Sequence, residues 1–76
     1  MKIYIVTLQE ENKGDELFVD AKAYRYKTEA WGKMKSICGS WCVDSDCESR
    51  IEQYDESISA SNETGYIVLT IKEQEL

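Results

Sequence analysis

The sequence predicts an α+β fold, ββαββ: a four-stranded, mainly antiparallel sheet with one amphipathic helix on one face. Three observations lead there. Apolar residues alternate with a period of two toward both ends of the chain and recur with a period of 3.6 between them, the signatures of strands and of a helix. The four Gly stand singly at 14, 32, 39 and 65 and punctuate segments of ordinary element length, with no linker, low-complexity tract or internal repeat. With 76 residues, 42% of them hydrophobic and 32% charged, the chain is apolar enough to collapse but has material for only one core. Residues 1–76 are therefore read as a single domain.

Each element follows from its local pattern. Residues 2–9 place Ile3, Ile5 and Thr7 on one face and Tyr4, Val6 and Leu8 on the other, which suits a central strand. After the polar stretch 10–15, Glu16–Tyr26 alternates again as the second arm of a hairpin. Its Leu17, Val19, Ala21 and Ala23 are expected inward, with Phe18, Asp20, Lys22, Tyr24 and Tyr26 outward. Thr28 is expected to cap a helix with Glu29 in its first turn. Ala30, Met34, Ile37 and Trp41 form the apolar stripe, Trp31, Cys38 and Cys42 widen it, and Val43 falls off it, so the helix should end near Cys42. Residues 44–56 are strongly acidic yet carry Cys47, Ile51 and Tyr54 at helical spacing, which leaves a short helix or an irregular loop. Ser57–Ser61 alternates as a third strand, residues 62–65 form a turn ending in Gly, and Tyr66–Ile71 is a strand apolar on both faces. The first and last strands belong side by side at the centre of the sheet, with the more polar second and third at its edges.

The residues present argue against most chemistries. The chain contains no His, the side chain best suited to proton transfer near neutrality and the commonest metal ligand. Cys38, Cys42 and Cys47 form C-x3-C-x4-C, which departs from the C-x2-C knuckle of structural zinc sites and supplies three thiols where four ligands are usual. A metal-binding module would have to recruit Asp44 or Asp46. The simpler expectation makes Cys38 and Cys42 small core hydrophobes, with Cys47 the most exposed thiol and its pKa raised by neighbouring carboxylates. Asp44-x-Asp46-x-Glu48 opens like a calcium loop, but Ser49 replaces the Gly needed at the sixth position and Asp55 the Glu at the twelfth. No spacing supports a Ser–Lys nucleophile, and no Gly belongs to a phosphate-cradling loop. The expectation is a non-enzymatic protein with no cofactor and no metal.

The apolar start of the chain breaks at Gln9-Glu10-Glu11, short of the roughly 18 residues of a membrane helix, and lacks a small-residue cleavage site. A cytoplasmic location, reduced thiols and no membrane partner are expected.

Charge is distributed unevenly. Residues 1–43 hold seven basic and six acidic groups, residues 44–63 one basic and seven acidic, and residues 64–76 one basic and two acidic. The middle segment alone carries a net −6, equal to the whole chain. Asp44, Asp46, Glu48, Glu52, Asp55 and Glu56 are accordingly the candidate partner-binding residues. A concentrated negative patch repels nucleic acid and steers toward basic surfaces, so the expected partner is a protein, one whose own role is to bind DNA or RNA. A nucleic-acid binder through Lys22–Lys35, with Tyr24, Tyr26 and Trp31 as stacking groups, is the rival that overall charge disfavours. A C2 homodimer through the sheet edge or open face is also consistent with the exposed aromatics expected on the second strand.

This layout, a short acidic ββαββ chain without His or Pro, resembles that of many small proteins of bacteria and their phages, some of which inhibit host nucleases. The resemblance rests on size, charge and element order and implies no residue roles. Taken together, the sequence favours a protein–protein interaction or inhibitor module.

Overall fold

The two central strands dictate the shape of the molecule. The computed structural model describes all 76 residues. It comprises β1 (Lys2–Asn12), β2 (Phe18–Tyr24), α1 (Lys27–Ser45), β3 (Arg50–Gln53), β4 (Ser57–Asn62) and β5 (Gly65–Glu75). All strand pairings are antiparallel, in the order β2-β1-β5-β4-β3. β1 and β5 pair along their full length, from Lys2↔Glu75 to Asn12↔Gly65. Eleven residues at about 3.3 Å each span roughly 36 Å, which accounts for the long axis of a 41 × 21 × 17 Å body.

The sheet has five strands where the sequence predicts four. The additional strand, β3, lies in the acidic stretch expected as short helix or loop, and it displaces β4 from the edge. Its four residues, Arg50-Ile51-Glu52-Gln53, contain one apolar side chain, and Ile51 is 55% exposed. Backbone pairing with β4, from Arg50↔Ser61 to Gln53↔Ile58, forms this strand, so no burial pattern announces it. β1 and β5 also continue past their apolar runs, through Glu10-Glu11-Asn12 and Lys72–Glu75, because each completes the other's ladder.

The helix covers one face of the sheet, packing on β5, β1 and β4 and more sparsely on β2. Ala30, Met34, Cys38 and Trp41 come from α1; Val6, Tyr24, Ile58, Ala60, Ile67, Leu69 and Ile71 meet them from the sheet. No polar or charged side chain is buried. The apolar stripe holds with one exchange, Cys38 taking the central place expected for Ile37 while Trp31, Ile37 and Cys42 flank it half-buried, but the helix limits differ from those expected. Thr28 lies inside the helix; the residue at the N-cap is Tyr26, whose side chain makes no capping bond. At the other end, the helix continues past Cys42 with Val43 76% exposed. It stops where Asp46 turns left-handed (φ 49°, ψ 40°), a conformation Asp tolerates, and the Asp46 N–H donates to the Val43 carbonyl at 3.1 Å.

The expected facing of β2 is inverted. Register pairs Tyr4 with Tyr24, Val6 with Lys22 and Leu8 with Asp20, so the even-numbered residues of β2 share the helix side of the sheet. Tyr24 is 8% exposed beneath the start of the helix, whereas Val19, Ala21 and Ala23 stand on the uncovered face. Since the helix reaches only the Tyr24 end of this edge strand, Asp20 and Lys22 remain in water on the nominally inner side. The uncovered face is otherwise built of small and β-branched residues, including Ser57, Ser59, Ser61, Val68 and a hydrogen-bonded Thr7–Thr70 pair.

Candidate functional site: an acidic end

Antiparallel connectivity brings the β1–β2 turn, the C-terminus of α1 with the loop after it, and the β4–β5 turn to the same end of the long axis. Hydrogen bonds join them: Lys13 N–H donates to the Thr64 carbonyl at 2.6 Å, and Asn62 Nδ2 donates to Ser45 Oγ at 2.8 Å and Ser49 Oγ at 2.9 Å. Asn62 Oδ1 accepts from the Thr64 N–H at 2.8 Å and the Thr64 hydroxyl at 2.6 Å. Ser45 and Ser49 pass their own protons to the carbonyls of Cys42 and Cys47. Asn62 thus ties the helix end, the following loop and the β4–β5 turn into one unit. Gly65 closes that turn at φ 152°, where a Cβ would collide with the Glu11 carbonyl oxygen.

In space the charge is grouped differently from its order along the sequence. This end holds Glu10, Glu11, Asp15, Glu16, Asp44, Asp46, Glu48 and Glu63 against Lys13 and Arg50, a net −6. The rest of the molecule holds seven acidic and seven basic groups and is neutral. The negative pole of the α1 dipole points the same way, with no basic residue in the last helical turn to offset it.

Of the six candidate partner-binding residues, Asp44, Asp46 and Glu48 belong to this end. Glu52 lies on β3, paired with Arg50 at 3.2 Å and accepting from the Tyr54 hydroxyl at 3.1 Å. Asp55 and Glu56 sit in the β3–β4 turn, away from the acidic end, with Glu56 near Lys27 and Glu73. Sequence counting missed Glu10, Glu11, Asp15 and Glu16, which lie some 30 to 50 positions from their spatial neighbours. The alternation of strand directions was the signal that could have found them, since the tip of a first hairpin and the end of the helix that follows it face the same way.

A shallow, open cleft of about 560 Å³ crosses this end, lined by Glu10, Asn12, Lys13, Trp41, Asp44, Ser45, Glu63 and Thr64. Glu10, Asp44 and Glu63 come from three different elements, and Trp41, 8% exposed, is its one apolar residue. Three carboxylates lining one open cleft, with the mostly buried Trp41 at its wall, are a chemical match for an Arg or Lys side chain, which gains charge pairing there. The chain matches no protein-family model, no curated protein and no solved structure.

The other candidate sites have their own geometry. Cys38 is 1% exposed, and burial, reinforced by the neighbouring Cys42, holds its thiol above the ordinary value. Cys47, expected as the exposed thiol, is half-buried like Cys42, and all three are free. No three Cys, Asp or Glu side chains converge where they could hold a metal ion. Among the proposed stacking groups, Tyr24 is buried, and Lys22, Arg25 and Lys35 lie 5.5, 5.7 and 6.0 Å from the centroids of Tyr24, Tyr26 and Trp31. No helix is long and apolar enough to cross a membrane.

Proposed function

We propose that this protein is a non-enzymatic interaction module that docks its acidic end onto a basic surface of a partner protein, in the manner of an inhibitor occupying a nucleic-acid-binding site. The observation that carries this reading is the open cleft lined by Glu10, Asp44, Glu63 and Trp41 at the end holding the whole net charge. An Arg or Lys of the partner enters the cleft, while Asp46, Glu48, Asp15 and Glu16 steer the approach. The three free thiols favour a cytoplasmic setting.

The test uses hexa-arginine as a stand-in for a basic partner surface, followed by amide and indole chemical shifts. Shifts should concentrate on Trp41, Asp44, Glu63 and Lys13 and weaken as salt rises to physiological levels, where the Debye length falls to about 8 Å. The triple variant Glu10→Gln/Asp44→Asn/Glu63→Gln should lose at least about tenfold in affinity, and Asp55→Asn/Glu56→Gln should lose less than about twofold. Equal losses from the two variants, or shifts spread evenly over both ends, would overturn the reading.

A further inference from the structure

The sheet has two edges of different character. β3 is four residues long, whereas β2 offers seven, Phe18–Tyr24, with its outer side unpaired. Which backbone groups face outward follows from the bonds. Ala21 N–H is held by the Asp20 carboxylate at 2.9 Å instead of by β1, and N–H and C=O of one strand residue point the same way. Val19, Ala21 and Ala23 therefore aim their donors and acceptors at the free edge. Long unpaired edges are usually blocked by bulges, Pro, a covering element or charged side chains; β2 has only the last, Asp20 and Lys22, and pairing requires Asp20 to release the Ala21 N–H as it turns to an opposing Lys22.

The sequence of this edge is complementary to itself when reversed. In an antiparallel pairing centred on Ala21, Ala21 faces its own copy as a hydrogen-bonded pair, and Val19 faces Ala23. On the other side of the sheet Asp20 stands directly opposite Lys22, and Phe18, 54% exposed, opposite Tyr24. Opposite charges and small side chains therefore face each other about the dyad, while the Phe18 positions meet the rims of the buried Tyr24 rings. An isologous contact requires this symmetry, and a foreign strand would have no reason to match it. The antiparallel arrangement also sends the two net −6 ends in opposite directions, so the neutral part of each molecule carries the contact. α1 packs mainly on β5, β1 and β4, which leaves the β2 edge uncovered.

We infer that the chain pairs with a second copy of itself along β2, in antiparallel register centred on Ala21, to form a continuous ten-stranded sheet with an acidic end at each extremity. This inference stands independently of what docks at those ends. A single edge contact lies at the small end of specific interfaces, so the association should be reversible and concentration-dependent.

Sedimentation of the full chain from about 5 to 500 µM should show the mass rising from one protomer toward two. Asp20→Lys, which sets like charges opposite one another, should weaken association at least about tenfold. The double variant Asp20→Lys/Lys22→Asp should restore it to within about threefold, because the swapped pair is again complementary. Ala21→Pro, which removes an outward N–H without touching the β1 ladder, should abolish the dimer while the circular dichroism of the fold is retained. A protein monomeric throughout this range overturns the inference. So does a dimer indifferent to Asp20→Lys and Ala21→Pro, or a double variant that fails to recover association.

Discussion

Asn62 does more for the acidic end than any of its carboxylates. Its amide donates to two hydroxyls 17 and 13 residues away in sequence and its carbonyl accepts from the next turn, so it holds Ser45, Ser49 and Thr64 in place together. Replacing it strands several half-buried partners at once. Asn62→Ala should lower unfolding free energy by about 2 kcal/mol in urea titration, given roughly 0.5–1.5 kcal/mol for each neutral hydrogen bond. Asn62→Asp keeps the acceptor for Thr64 but loses both donations and adds a charge to an end already at net −6, so it should be no more stable than the Ala variant. An Asp variant as stable as wild type would show that the Ser45 and Ser49 hydroxyls can turn to donate to the carboxylate in place of accepting from the amide, and that the added charge costs nothing. No local pattern marks this residue in the sequence, where Asn62 reads as an ordinary turn former.

At the scale of elements, the helix and the central strands were legible because their side chains meet the core in the period of their own backbone. Met34 and Trp41 lie on the stripe a helical wheel shows, and Tyr66–Ile71 reads as a central strand because it is apolar on both faces, although only the register shows that Ile67, Leu69 and Ile71 face the helix. β3 was not legible, since it owes its existence to the β4 backbone beside it and buries no side chain. The facing of β2 was misread for a related reason: alternation shows that a strand has two faces without showing which one the helix covers, and at an edge the cover is partial. Hydrogen exchange should follow this division. Amides of β5, paired on both sides and beneath the helix, should be the slowest, approaching protection set by global unfolding. Those of Arg50–Gln53 should exchange at least about a hundredfold faster, opening locally without loss of the core. Equal protection of β3 and β5 would mean that the edge strand unfolds only with the whole domain.

On the scale of the whole molecule, the fold converts a segment of sequence into a pole. Eight carboxylates, two basic groups and a helix C-terminus share one end of a 41 Å body whose remainder is neutral. Like charges gathered in this way repel one another in the folded state more than in an extended chain, so the pole costs stability, and salt should relieve that cost. The melting temperature of the wild type should accordingly rise between about 20 and 500 mM NaCl. Exposed Glu63, beside Glu10 and Asp44 at the cleft, is the sensitive place to probe it. Glu63→Lys should raise the melting temperature on the order of 3 °C at low salt and by little at high salt, while weakening the binding of hexa-arginine. A substitution that stabilises the fold and impairs docking is the behaviour of a surface shaped for a partner at the expense of the domain's own stability. Were Glu63→Lys to destabilise the protein at low salt, the carboxylates of this end would have to be making favourable contacts of their own, and the repulsive pole would be refuted.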